Sequence, residues 1–279
     1  MTSVLSATGL ALVSVLASGV AAEANDISEC ILSGEVGSIK LQPVNEGVLT
    51  VETALPNPGW WNGDTPEQIT TGFEYCLAAN VAHRAGLKEI RLVIASFPAM
   101  IANVNPGKDM AMATISITAE RQKVMQFTAP YFNSDIGILV KKGTAVDVAA
   151  MKTFRVGVLQ GSTGAKYIAD EVKPAELRES PERPAILAAL MAGQIDVAVN
   201  DTAILLGLAS KSNGALEVVS QYSTGETYGS ILPKNSPNKE AIDQAIEDMR
   251  KDGTLEKMAS TYLSDIWGAD PTKVPYLKP

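Results

Sequence analysis

RVGVLQGSTGAKYI, residues 155–168, runs from an apolar strand pattern into glycines and hydroxyls and then into a helical pattern. It starts a second strand–helix series in a chain that has already completed one, so its reading decides between a single sheet and two lobes. A phosphate loop of the G-x-x-x-x-G-K-[ST] type is excluded, because Ala165 separates Gly164 from Lys166 and Tyr167 follows. The dinucleotide pattern G-x-G-x-x-G is absent as well. What remains is a helix N-terminus with free N–H groups and two hydroxyls, Ser162 and Thr163, which suits a compact anion such as a carboxylate. Taken alone, an ordinary N-cap explains the same residues.

Outward from this segment the alternation is regular. GVLTVETAL (47–55) reads as a buried strand, and a Pro/Gly/Trp loop follows it. TTGFEYCLAANVAHRAGL has Phe73, Leu77, Val81 and Ala85 at helical spacing. IRLVIASF is a strand, PAMIANVNPGK a short helix and DMAMATISIT (109–118) another strand. IGILVKK (136–142) leads into the second series, which continues through the helix RPAILAALMAGQ, then IDVAVNDTAILL and LEVVS. Ser236–Pro237 reads as an N-cap and first helical position, with Ile242, Ala245, Ile246 and Met249 on one face. Alternating strands and helices predict a mostly parallel α/β sheet in each unit. The expected architecture is two α/β lobes, the second inserted into the first: 25–138 for lobe 1 with its N-terminal leader, 139–225 for lobe 2, and 226–279 for the return and C-terminal helices. Ligands of open α/β sheets bind at strand carboxyl ends, so the cleft between lobes is the expected site.

The formal net charge of -8 argues against nucleic acid, whose binding needs a basic face. Met1 to Ala22 carry no charged side chain and lead into small residues, which predicts a signal peptide over 1–24, cleaved after Ala22 or Ala24. The run is also long enough for a retained membrane anchor. No later segment is. Two cysteines, Cys30 and Cys76, in an exported chain suggest a disulfide, with two separate thiols the equal alternative. The one histidine, His83, precedes Gly86 and reads as part of a helix C-terminus. One His and two Cys make a metal centre or a Cys–His nucleophile a poor expectation.

A second candidate element changes the weight of the first. In ATISITAERQKVMQFTAPYF (113–132) a strand ends in Thr114, Ser116 and Thr118, and Arg121 follows one turn later. Arginine presents a planar fork that grips a carboxylate bidentately; a surface ion pair is the plainer use. In IDVAVNDTAILL, Asp201 stands directly after an apolar strand, as a ligand group or a helix cap. Together a guanidinium, a helix N-terminus and a carboxylate at three strand ends match an amino-acid zwitterion.

With those residues in place, the chain resembles the polar amino-acid-binding proteins of bacterial ABC importers, which have the type II periplasmic-binding-protein fold. The resemblance runs from Gly47 nearly to Gly268, through GFEYCLA, ATISITAERQKVMQFTAPYF, LVKKGT, VGVLQGST, GQIDVAVND, YGSILPKNSP and DGTLEKM. It implies that Arg121 and Thr163, with Ser162, hold the ligand carboxylate. Thr114 and Ser116 add backbone and hydroxyl contacts, Asp201 holds the ammonium, and Phe97 packs over the ligand side chain. The family's P-P-F is replaced by LPNPGWWNGD, which leaves Trp60 and Trp61 as candidates for covering the ligand. GFDVDLA has become GFEYCLA, so an acidic helix position is Cys76. Ala54 stands where relatives of basic or amide ligands place an acid, which predicts a neutral side chain over a cationic one.

The resemblance implies a periplasmic monomer that captures an amino acid, closes over it without catalysis and delivers it to a membrane permease, with no cofactor, metal or nucleic acid. A cyclohexadienyl or arogenate dehydratase on the same fold is the rival reading. It needs a general acid in the cleft, and no unassigned acid is clearly placed there, although Glu52 can be argued.

Overall fold

The computed structural model describes residues 27, 29–103 and 105–277. The predicted leader and its cleavage site therefore lie outside the described residues.

Two five-stranded sheets form the two lobes. The first holds β1 (Val48–Thr53), β2 (Glu89–Ile94), β3 (Met110–Ala111), β4 (Gln126–Phe127) and β10 (Ile231–Leu232), in the order β2-β1-β3-β10-β4. β1, β2 and β3 are parallel, and β10 closes this sheet antiparallel to β3 and β4. The second holds β5 (Phe132–Lys141), β6 (Arg155–Leu159), β7 (Glu176–Ser180), β8 (Val197–Asp201) and β9 (Leu216–Tyr228), in the order β7-β6-β8-β5-β9. Its parallel half is β7-β6-β8, while β5 runs antiparallel to β8 and β9.

The chain leaves the first lobe through β5 and returns through β9. These two long strands pair from Phe132↔Tyr228 to Lys141↔Leu216. Residues 271–277 pack back onto β9. Gln221 Nε2 donates to the Pro271 and Val274 carbonyls at 3.0 and 2.9 Å, and Tyr276 donates to Asp135 at 2.8 Å.

In the first lobe α1 (Phe73–Ala85) begins at Gly72, φ 124°, and stops at Gly86, φ 73°. A Cβ on Gly72 would lie 2.4 Å from the Trp60 carbonyl oxygen, so only glycine fits where the tryptophan loop crosses the helix start. His83 lies in the last turn of α1, as expected of a cap, against the Gly34 carbonyl at 3.2 Å. Cys76, wholly buried in α1, is bonded to Cys30 with Cα atoms 5.2 Å apart, so the stretch ahead of β1 is tied to the first lobe.

Two local expectations are corrected. Of the predicted strand 109–118, Met110–Ala111 is in the sheet and Ser116 makes an isolated bridge to Tyr228, because Thr114 turns the chain between them with φ 55°. The helix α8 (Lys239–Lys251) starts after Asn238, not at Ser236–Pro237. Ser236 Oγ instead accepts from the Asn238 N–H at 3.3 Å in the preceding turn. The apolar face of α8 is the predicted one: Ile242, Ala245, Ile246 and Met249 are all buried.

Candidate functional site

The cleft is built from short elements at the carboxyl ends of strands. α2 (Phe97–Ile101) follows β2 and presents Phe97 at 5% exposure. α3 (Ala119–Gln122) is capped by Thr118, whose hydroxyl accepts the Arg121 N–H at 3.1 Å. Between β3 and α3 the chain bends at Thr114. That left-handed conformation costs a β-branched residue about 1–2 kcal/mol. Glu74 offsets it by accepting the Thr114 N–H at 2.7 Å. The other donors to Glu74 are Trp61 Nε1, at 2.7 Å, and the Tyr131 hydroxyl. Burial pushes the Glu74 carboxyl above the usual range, and these three donors pull the other way.

From the second lobe come α5 (Thr163–Tyr167) after β6, α6 (Arg183–Met191) after β7, and α7 (Thr202–Ser210) after β8. Ser162 is the cap of α5, its hydroxyl accepting the Ala165 N–H at 3.0 Å, so the plainer of its two sequence readings describes its contact. Thr163 is free for another partner. Asp201 occupies the cap position of α7 but makes no side-chain cap hydrogen bond, and one of its oxygens is buried without a partner. Burial first, and then the nearby Glu226, raise its pKa from 3.8 to about 7.

The lobes meet across the cleft. Arg121 donates through Nη1 to the Ser116 carbonyl at 2.6 Å and through Nη2 to the second-lobe Gly161 carbonyl at 3.0 Å. Gly161 takes φ 74°, and a Cβ there would stand 2.5 Å from Ile101 Cδ1 of the first lobe. Desolvation lowers the Arg121 pKa, and Asp201 and Glu226 oppose that shift. Ser116 Oγ and Thr163 Oγ1 lie 3.4 Å apart and donate to the same oxygen of Glu226, at 2.5 and 2.7 Å.

Arg121, Ser116, Thr163 and Asp201 are thus brought to one cleft, with the Phe97 ring centroid 5.8 Å from the Arg121 guanidinium carbon. Trp60 and Trp61 are placed in the first-lobe core at 0% exposure. Trp60 packs edge-on against Phe73, Phe132 and Tyr228, and Trp61 is held by Glu74. Glu52 is paired with Lys108 at 3.1 Å, both side chains buried. Sequence reading missed Glu226 and Arg183. Glu226 gave no signal, because it lies near the end of the return strand with nothing local to mark it. Arg183 stood in the quoted helix segment and looked like an ordinary first-turn residue.

The sequence profile of the bacterial extracellular solute-binding proteins, family 3, matches residues 50–265. The chain belongs to that family. It is 32% identical over 209 residues to the L-cystine-binding protein of Escherichia coli, a match covering 73% of this chain and 76% of that one. Among solved structures, an ancestral arginine-binding protein bound to glutamine superposes with a TM-score of 0.71 at 29% identity, covering 78% of this chain and 98% of that one. A third relative is an ancestral amino-acid-binding protein that is a precursor of cyclohexadienyl dehydratase. It gives a TM-score of 0.69 at 25% identity over 78% of this chain and 95% of its own. This family-3 protein therefore shares the type II two-lobed fold, with its candidate site where the two lobes face each other. No helix among the described residues is long and apolar enough to cross a membrane.

Proposed function

We propose that this solute-binding protein captures a free amino acid between its lobes and delivers it to an ABC importer permease, as an exported protein whose leader is removed. The observation that carries the reading is a carboxylate already seated in the predicted carboxylate site. Glu226 takes the Ser116 and Thr163 hydroxyls beside Arg121, while Asp201 keeps an unpartnered oxygen for an ammonium. A ligand's own carboxylate would replace Glu226 on those donors, and its ammonium would pair with Asp201. Relatives whose names specify cystine, glutamine, histidine and arginine support an amino acid as the ligand class. Ligand contacts then bias an open–closed equilibrium, and the closed form is what a permease would recognise. No bond is made or broken.

A thermal-shift screen against the twenty amino acids tests this. A ligand at ~100 times its dissociation constant adds about 2.7 kcal/mol. Failure of every amino acid to raise the melting temperature would sink the reading.

One observation favours the dehydratase alternative. Asp201, raised to about 7, has a pKa suited to a general acid in the cleft, whereas Glu52 is held by Lys108. Incubation with prephenate or arogenate, followed by ultraviolet absorbance, separates the two. Appearance of an aromatic product overturns binding without chemistry.

A further inference from the structure

Arg183 is a buried cation that forms no salt bridge among the described residues. It sits at the first position of α6, at 6% exposure, and its side chain reaches across the cleft to the first lobe. Its hydrogen bond there is a long one, from Nη2 to Thr114 Oγ1 at 3.5 Å, and its Nε is buried with no partner. Among the described residues no carboxylate forms a salt bridge with it. The acids that act on it are Asp201 first, then Glu74, with Tyr228 and Glu182 weaker. Glu74 already accepts from Trp61, Thr114 and Tyr131. Asp201 is, on the reading above, the ammonium partner.

A guanidinium has five N–H donors, and leaving a buried charge unpaired is costly. The placement of this one relative to Arg121 gives it a use. Both guanidinium carbons lie over the same ring, Phe97, at 5.8 Å for Arg121 and 5.9 Å for Arg183. A ligand packed against Phe97 with its α-carboxylate on Arg121 would point its far end toward the second guanidinium.

We propose that Arg183 is a specificity-determining residue that receives a carboxylate at the end of the ligand side chain, so that the ligand is an acidic amino acid. The inference rests on the amino-acid reading of the same cleft. A cationic side chain would face Arg183 directly and is excluded. Arg183 adds the preference for an anionic side chain over a neutral one. The planar fork suits a carboxylate bidentately, and the amide of a neutral isostere offers one acceptor oxygen where a carboxylate offers two.

The test is a calorimetric panel on the full chain with L-aspartate, L-glutamate and L-2-aminoadipate, against L-asparagine, L-glutamine, L-alanine and L-arginine. The three dicarboxylates measure the span between the guanidinia. Wild type is expected to bind one dicarboxylate about 10- to 100-fold tighter than any neutral member, and arginine weakest. Arg183→Met keeps the apolar stem; it is expected to lose that preference while still binding the neutral amino acids. Retained neutral binding also reports that the variant is folded. Wild type preferring a neutral or cationic amino acid overturns the role of Arg183 and leaves the amino-acid reading standing. So does an Arg183→Met variant that keeps the dicarboxylate preference. Binding of no amino acid overturns both. If the variant does not fold, the wild-type panel decides alone.

Discussion

Thr163 Oγ1 donates to Glu226 Oε2 at 2.7 Å, joining a second-lobe helix start to the return strand through a carboxylate of the chain itself. The Ser116 hydroxyl of the first lobe reaches the same oxygen at 2.5 Å, so Glu226 latches the two lobes together. Such a latch competes with any ligand carboxylate for the same donors.

Glu226→Ala should therefore bind the amino acid more tightly, by about tenfold, the scale of a hydrogen bond to a charged group. Without ligand, the variant should be more open, with a larger radius of gyration in small-angle scattering. Weaker binding by Glu226→Ala would mean that this carboxylate helps the ligand and does not stand in its place.

Arg121→Ala should cost ~3–5 kcal/mol of binding, because the ligand carboxylate would be left in the closed cleft without its cation. Calorimetry on variants with matched unliganded melting temperatures measures it. Thr163→Ala should cost less, about 0.5–1.5 kcal/mol. Equal affinity for Arg121→Ala and wild type would remove the zwitterion site.

The Asp201 carboxyl gives a pH dependence with opposite signs for stability and for binding. Its folded pKa of about 7 is above the ordinary 3.8, because burial and Glu226 disfavour the charged form. The unliganded folded state thus holds this proton more tightly than the unfolded chain. The stability it contributes is present at low pH and is lost as pH rises from about 4 to about 7. An ammonium pairs with the ionised form, so affinity should weaken by up to about tenfold per unit as pH falls below 7. Asp201→Asn should bind weakly and flatten both profiles. An affinity that is constant between about pH 5 and 8 in wild type would exclude Asp201 as the ammonium partner.

Reduction of Cys30–Cys76, or Cys76→Ser with Cys30→Ser, should lower stability by about 4 kcal/mol in the chain-entropy model for a separation of 46 residues. Denaturant titration measures the loss. The dissociation constant should stay unchanged, since the bond ties the segment around Cys30 to α1 and lies apart from the cleft residues.

Glu74→Ala should strand the Trp61 indole, the Thr114 N–H and the Tyr131 hydroxyl in the core. Each orphaned donor costs about 1–3 kcal/mol. Urea unfolding should show a loss at the upper end of single substitutions, about 4 kcal/mol or more. A loss below about 1 kcal/mol would mean that water or a rearranged loop satisfies those donors.

Local pattern was enough for the strand–helix order, the two lobes and four of the cleft residues. The apolar run of Val197–Asp201 ends in Asn200 and Asp201, that of Arg155–Leu159 is followed by Gln160 and the glycine–hydroxyl turn, and strand carboxyl ends face the ligand in this class of sheet. Two things were not legible. Glu226 and Arg183 enter the cleft only through pairing at a distance, β9 against β5 and α6 across to Thr114, and neither stands in a spacing that marks it. Trp60 and Trp61 were candidates for covering the ligand; the close crossing of their loop over Gly72 at the start of α1 places both in the first-lobe core, which no local spacing marks.

The bonds from Gln221 to residues 271–277 have a practical consequence. Although the helices before it belong with the first lobe, this last described stretch is fastened to the second, so it travels with that lobe when the molecule hinges. A dye at Lys273 and another at Val36, both exposed, would ride on opposite jaws. No free thiol is present among the described residues, so cysteines introduced at those two points could be labelled without interference. The distance between them would turn the protein into a gauge that reads opening and closing in real time.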